Sequence, residues 1–270
     1  MNQKKRLNKK GQLTIFIIIA MVIIASAIIF FSFSETGQRL ISPIFGSARL
    51  DINQEIKNCF ENNEKIDEKI NTILEQGGEY SPKNFVLYKN IKIEYLCYTP
   101  DYLLTCYIQK PLLLKSIEEE IALQVKPEMQ ECINKVENSL KSKGYSVSSS
   151  GIKKVDIKIV PKKINIETDY SISARKGDDV QSYESVGFEI TRKEIYDLIM
   201  IASSILQYET KYGETETVSF MVIYPDIKIE KTIKDDGTKI YMLTNRNTKE
   251  KFNFASRSLV FPPGLNTNTK

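Results

Sequence analysis

The chain contains no histidine and no tryptophan. Histidine is the commonest general base near neutral pH and the commonest transition-metal ligand. Its absence excludes Ser-His-Asp and Cys-His catalysis and every His-ligated metal centre. The sequence also lacks a phosphate-binding P-loop, a GxGxxG fingerprint, a GxSxG elbow, an HExxH helix and an EF-hand loop. No Asn-x-Ser/Thr sequon occurs. Only carboxylate or lysine chemistry is left open. The acidic pairs Asp178-Asp179 and Asp235-Asp236 fall in expected turns, where aspartate is favoured anyway. The sequence therefore reads as a non-enzyme with no cofactor and no metal.

A concentrated positive field is missing too. The formal net charge is +4, but Lys4, Lys5, Arg6, Lys9 and Lys10 supply five positive charges in the first ten residues. The other 260 residues carry 33 basic and 34 acidic side chains, so nucleic acid is not an expected partner. At 270 residues, 41% hydrophobic and 27% charged, the chain is long enough for one or two cores and too apolar for disorder.

What is present is a long uncharged run. Residues 13–34 form an apolar stretch with no polar face, and at 1.5 Å per residue it matches the thickness of a hydrocarbon core. An internal core helix would show a polar face. A cleaved secretory signal, with Ala25-Ser26-Ala27 as its small-x-small site, is the remaining rival. The run is therefore expected to be a transmembrane helix, with the lipid bilayer as a partner. The basic segment 1–12 precedes it, which places the N-terminus in the cytosol and the body outside the cell membrane as a single-pass protein.

Lys9-Lys10-Gly11-Gln12-Leu13-Thr14-Ile15-Phe16 places basic residues, a glycine and a glutamine directly before the apolar helix. This arrangement resembles the class III (prepilin-type) signal of archaeal pilin-like surface proteins. More loosely, the whole chain resembles uncharacterised single-pass membrane proteins of small-genome archaea. The resemblance implies a prepilin-type peptidase as a partner, with Lys10, Gly11 and Gln12 as the processing site and cleavage after Gly11. Two features differ from filament pilins. The fifth mature position is Phe16, where pilins carry a glutamate, and Gly37, Pro43 and Gly46 interrupt the helix that pilins continue. Residues 35–47 read accordingly as a juxtamembrane linker.

The outer part is expected to be α+β. In a helix/hairpin block over 48–145, Ile52 to Leu74 recur at helical spacing until Gly77-Gly78, and strands follow near 84–88, 91–98 and 103–109. Ser116 to Glu119 reads as a capping box opening a second helix, which Pro127 is expected to split or kink. Ser146 to Gly151 is small and polar and marks a boundary. A β-rich block over 152–261 follows, with one helix packed on an antiparallel sheet. Its strands are read from Val155/Ile157/Ile159, from Ile164 to Ile172, from Val186/Phe188/Ile190, from Val218/Phe220/Val222/Tyr224, from Ile227/Ile229, and from Ile240/Met242 and Phe252/Phe254. Its helix runs from a capping box at Thr191 to Glu194 as far as Tyr212, and Asp236-Gly237 signals a hairpin. Residues 262–270 read as a flexible tail.

Four cysteines fall on the expected outer side, where disulfides are permitted. Four thiols allow three pairings. A tight turn at Asp101-Tyr102 sets Cys97 opposite Cys106, which leaves Cys59 and Cys132 to join the two helices. A four-thiolate zinc site or a redox pair would favour CxxC spacing, which is absent; free buried thiols remain open. Lys153, Lys154, Lys158, Lys162 and Lys163 crowd one hairpin, either as a ligand patch or as a solvated edge. Tyr95, Tyr98, Tyr102 and Tyr107 crowd another, either as a contact surface or sugar platform or as packing. The chain thus reads as an anchored structural or adhesive surface protein, pilin-like in its signal, with itself or other surface proteins as partners. The alternative is an anchored module that binds a solute, polymer or partner protein.

Overall fold

The computed structural model describes residues 18–23, 26, 51–192, 194–258 and 260. Residues 18–23 are helical, and Ile18, Met21, Val22 and Ile23 are exposed. Among the described residues no helix is long and apolar enough to cross a membrane. The expected basic segment 1–12, the linker 35–47, the tail 262–270 and most of the run 13–34 lie outside the described residues.

Residues from Ile52 onward form one compact unit of mixed α+β structure. Helix α1 (Ile52–Glu61) and helix α2 (Glu64–Glu75) share the apolar spacing read from the sequence but break at Asn62-Asn63. The Asn63 side chain caps α2 by accepting from the Lys65 N–H at 3.1 Å. Strands β1 (Phe85–Tyr88), β2 (Ile91–Tyr98) and β3 (Tyr107–Ile108) follow. Helix α3 (Leu113–Ser142) then runs 30 residues, about 45 Å.

The expected capping box and the expected split both fail at α3. Its first turn starts at Leu113, so Ser116 lies inside the helix and caps nothing. Pro127 does not split it. Proline removes one N–H and crowds the carbonyl four residues back. That residue is Leu123, which is exposed, and the neighbouring Gln124 carbonyl accepts from Lys69 Nζ at 2.8 Å. The residue whose carbonyl loses its partner is thus one that solvent reaches, and Lys69 supports the next carbonyl along.

Ser146–Ser149, expected as part of a boundary, forms strand β4. Strands β5 (Val155–Val160) and β6 (Lys163–Thr168) make a hairpin, followed by β7 (Ile172–Lys176), β8 (Asp179–Tyr183) and β9 (Val186–Thr191). Asp178 lies in a turn with Gly177, but Asp179, expected in that turn, already begins β8, which the sequence pattern does not announce. Helix α4 (Ile195–Tyr212) matches expectation except at its start. The side chain of the N-cap residue Glu194 makes no cap bond; instead the Glu194 N–H donates to Glu250 Oε2 at 2.9 Å. The strand expected from Val218/Phe220/Val222/Tyr224 is instead the short helix α5 (Thr217–Ile223). Strands β10 (Ile227–Ile233), β11 (Thr238–Asn245) and β12 (Lys251–Arg257) complete the fold.

The main sheet has the order β1-β2-β12-β11-β10, with β3 beside β2. Its central contact, β2 with β12, is parallel and joins strands from the two ends of the unit. A second sheet is β5-β6-β9, and a third is β4-β7-β8. Helices α2 and α4 pack on β12, α1 packs on β9, and α3 packs on β5, so the helices bridge the main sheet and the β5-β6-β9 sheet. Tyr241, Phe252 and Phe254 fill the helix-facing side of the main sheet, and Tyr241 stacks on Phe254 at 5.0 Å. Val86, Ile93, Tyr95, Ile240 and Ala255 form a smaller cluster on its other side.

Candidate functional site: a disulfide-clamped apolar loop

The loop between β2 and β3 carries the Tyr-rich segment. Cys97 and Cys106 are disulfide-bonded, with Cα atoms 5.3 Å apart. The two-residue turn inferred from the sequence is not what brings them together. The ladder pairs Cys97 with Ile108 and Tyr98 with Tyr107, so Cys106 sits diagonally and residues 99–106 form a wider loop. The bridge replaces the missing tight turn as the clamp. Thr99 fixes the loop base: its carbonyl accepts from the Arg257 guanidinium, and its hydroxyl accepts from the Asp101 N–H at 3.2 Å. Arg257 also stacks over the Tyr98 and Tyr102 rings, 5.9 and 5.4 Å from their centroids.

The tip points outward. Tyr102, Leu103 and Leu104 are 61, 51 and 47% exposed, and Tyr107 is exposed beside them. Leu103 has φ 68°, a left-handed conformation that costs a non-glycine residue about 1–2 kcal/mol. A loop tip is ordinarily polar; here a clamped backbone holds apolar side chains in water. Of the four tyrosines, only Tyr95 is core, its hydroxyl 2.9 Å from Thr238 Oγ1.

Beneath the disulfide lies a buried ionic network that sequence reading did not single out. Cys106 Sγ lies 3.6 Å from Ser256 Oγ, which donates to Glu209 Oε2 at 2.7 Å. Glu209 is fully buried on α4 and also accepts from Lys239 Nζ at 2.9 Å and Tyr241 OH at 2.6 Å. Lys239 Nζ donates in addition to the Gly213 carbonyl and lies 3.2 Å from Ser258 Oγ. Burial first, and the Glu209 carboxylate second, push the Tyr241 hydroxyl far above its usual range. A Ser–Lys arrangement would need a cleft for catalysis; Lys239, Ser256 and Ser258 are all buried. The signal was present in the sequence: Glu209 continues the Ala202–Ile205–Leu206 stripe, where a carboxylate must find partners.

The other pair, Cys59–Cys132, joins α1 to α3, with Cα atoms 6.0 Å apart. The basic hairpin is largely paired. Lys154 lies 3.1 Å from Asp156, Lys163 lies 2.6 Å from Glu189, and Lys158 approaches Glu118 at 3.8 Å. The Lys153 and Lys154 N–H groups both donate to Asp169 Oδ1 at 2.8 Å. These bonds, led by the one from Lys154, hold Asp169 below the usual carboxylate range. An open hollow of about 370 Å3 beside this hairpin is lined by Asp156, Asp169 and Glu167 as well as Lys154. A larger one, about 570 Å3, is lined by Asp67 and Arg192, which pair at 2.5 Å. Neither gathers a nucleophile with a base. Among the described residues, no three His, Cys, Asp or Glu side chains converge on a metal position. Lys10, Gly11 and Gln12 lie outside the described residues.

One carboxylate is perturbed near the loop. Glu94 on β2 is buried, and burial pushes it up to about 7 even though Lys110 Nζ stands 2.8 Å away. Lys110 also bonds Glu79 at 2.9 Å. No hollow described above reaches this group.

No protein-family model, curated protein or solved structure matches the chain.

Proposed function

We propose that the chain is a membrane-anchored extracytoplasmic surface protein whose clamped loop makes adhesive or assembly contacts. The carrying observation is the position of the loop within the folded unit. The unit begins at Ile52, where Glu55 of α1 pairs with Lys143 just past the C-terminal end of α3 at 2.8 Å. The loop lies at the other end: Cys106 precedes Leu113, the first residue of α3, by seven residues. About 45 Å of α3 therefore lies between its Lys143 end, where the unit begins, and its Leu113 end, which the exposed Tyr102-Leu103-Leu104 tip precedes in the chain. Exposed apolar side chains on a disulfide-clamped loop are the kind of surface that adhesive or assembly contacts use. Two disulfides suit an oxidising compartment.

Two experiments test this reading. Unreduced intact-mass spectrometry of the native membrane fraction should give a mature start at Gln12; a start near Ser26 would remove the anchor. Leu103→Asp with Leu104→Asp should abolish self-association or surface attachment of the anchored protein while leaving both disulfides formed. Unchanged attachment would refute the contact role.

A further inference from the structure

Helix α5 is applied to the sheet by one side only. Thr217 is buried and the Met221 sulfur accepts from the Ile229 N–H of β10 at 3.4 Å, whereas Val218, Val222 and Ile223 face water. Val222 is 75% exposed. Aromatic rings continue this bare surface onto α4: Tyr208 meets Phe220 edge-on at 6.1 Å and lies 6.0 Å from Tyr212. Apolar exposure this contiguous on a folded unit marks a docking surface.

The chain itself arrives beside it. Val260 packs so closely against Gly213, the residue that follows Tyr212, that a Cβ built on Gly213 would collide with Val260 Cγ2. The next residues, outside the described ones, read Phe261-Pro262-Pro263-Gly264-Leu265. Two prolines bias this stretch, including Phe261, to the extended polyproline II form. That conformation forms at little entropic cost and is read by aromatic-lined surfaces. At about 3.1 Å per residue the five residues reach about 16 Å. Helix α5, seven residues at 1.5 Å each, is about 10 Å long. Reach, starting point and chemistry coincide.

We propose that Phe261–Leu265 docks across Tyr208, Tyr212 and Phe220 and over Val218 and Val222 of α5. The inference does not depend on the anchored reading.

The absence of tryptophan makes the test clean. Val222→Trp in the full chain places the only indole on the surface in question. The expected emission is blue-shifted and poorly quenched by acrylamide. Phe261→Ser with Leu265→Ser in the same background should red-shift the emission and raise the quenching. A chain ending at Val260 should do the same, with retained disulfides and circular dichroism reporting that it still folds; the serine variant serves if it does not. Identical spectra with and without the segment would overturn the proposal. So would a blue shift that disappears on dilution, which marks a second copy as the occupant, or quenching of the indole by brominated lipid, which marks a bilayer.

Discussion

Replacing Glu209 with leucine should destabilise the protein more than any single surface change. Glu209 has no solvent access and accepts from Lys239, Tyr241 and Ser256 at 2.9, 2.6 and 2.7 Å. Leucine fills similar volume, so the loss is polar. Breaking one member of a buried ion pair costs about 3–5 kcal/mol because the partner charge is left uncompensated. Lys239 keeps the Gly213 carbonyl and Ser258, which places the expected loss near the lower end, about 3 kcal/mol. At roughly 2–4 °C per kcal/mol for a unit of this size, Tm should fall by about 6–12 °C. Thermal melts and urea titrations of the oxidised full chain in detergent, followed by circular dichroism, measure both.

The reasoning is checked by a cycle. Lys239→Met added to Glu209→Leu removes the stranded charge, so the double variant should be more stable than Glu209→Leu alone. Glu230→Gln, which breaks an exposed pair with Lys228, should change stability by less than about 0.5 kcal/mol. If Glu209→Leu behaves like Glu230→Gln, or if Lys239→Met simply adds its own full cost, the network is not the coupled unit described.

Glu94 should give a pH signature. Its folded pKa of about 7 lies above the ordinary 4.5, so the folded state holds the proton more tightly. The stability this contributes is complete below about pH 4.5 and disappears as pH rises through 7. Glu94→Gln should flatten that fall, and an unchanged pH profile would contradict the assignment. Opening the loop with Cys97→Ser and Cys106→Ser should cost about 2.7 kcal/mol in the chain-entropy account, against about 4.5 kcal/mol for Cys59→Ser with Cys132→Ser; paired urea titrations rank them. Gly213→Ala should cost more than Gly177→Ala by thermal melting. Both have positive φ, but a Cβ at Gly213 would run into Val260, whereas one at Gly177 meets nothing within 4 Å.

Where local rules decide, the sequence was readable. Strict alternation at Val155/Ile157/Ile159 and Val186/Phe188/Ile190 gives β5 and β9, and Asp236-Gly237 joins β10 to β11. The inward stripe of α4 carries through to Glu209. Non-local contacts were not readable. Ala255 pairs with Tyr95 in a parallel ladder that no turn announces, and Arg257 reaches back to Thr99 to seat the loop. The same holds for caps: Glu250, distant in sequence, receives the N–H of Glu194, the residue just before α4. The candidate loop was visible as a tyrosine cluster and a cysteine pair. Its outward leucines and its wide register depend on a disulfide standing in for a turn.

The misread strand at Thr217–Ile223 shows why pattern alone fails there. Val218, Phe220 and Val222 alternate, but Val218 and Val222 are also four apart, so the run satisfies both periods. A strand needs a neighbour to receive its ladder. Strand β10 is the edge of the main sheet, and an added strand would leave a new bare edge in turn. Folded as a helix, the same seven residues pair part of their backbone within the segment, and the Glu216 side chain accepts from the Val218 N–H at 2.9 Å. They also bring the Met221 sulfur over the Ile229 N–H, covering the edge instead of extending it. That solution places Val218 and Val222 in water. The exposed face of α5 is thus the consequence of closing the sheet, and Val260, packed against Gly213, is where the proposed covering segment would start.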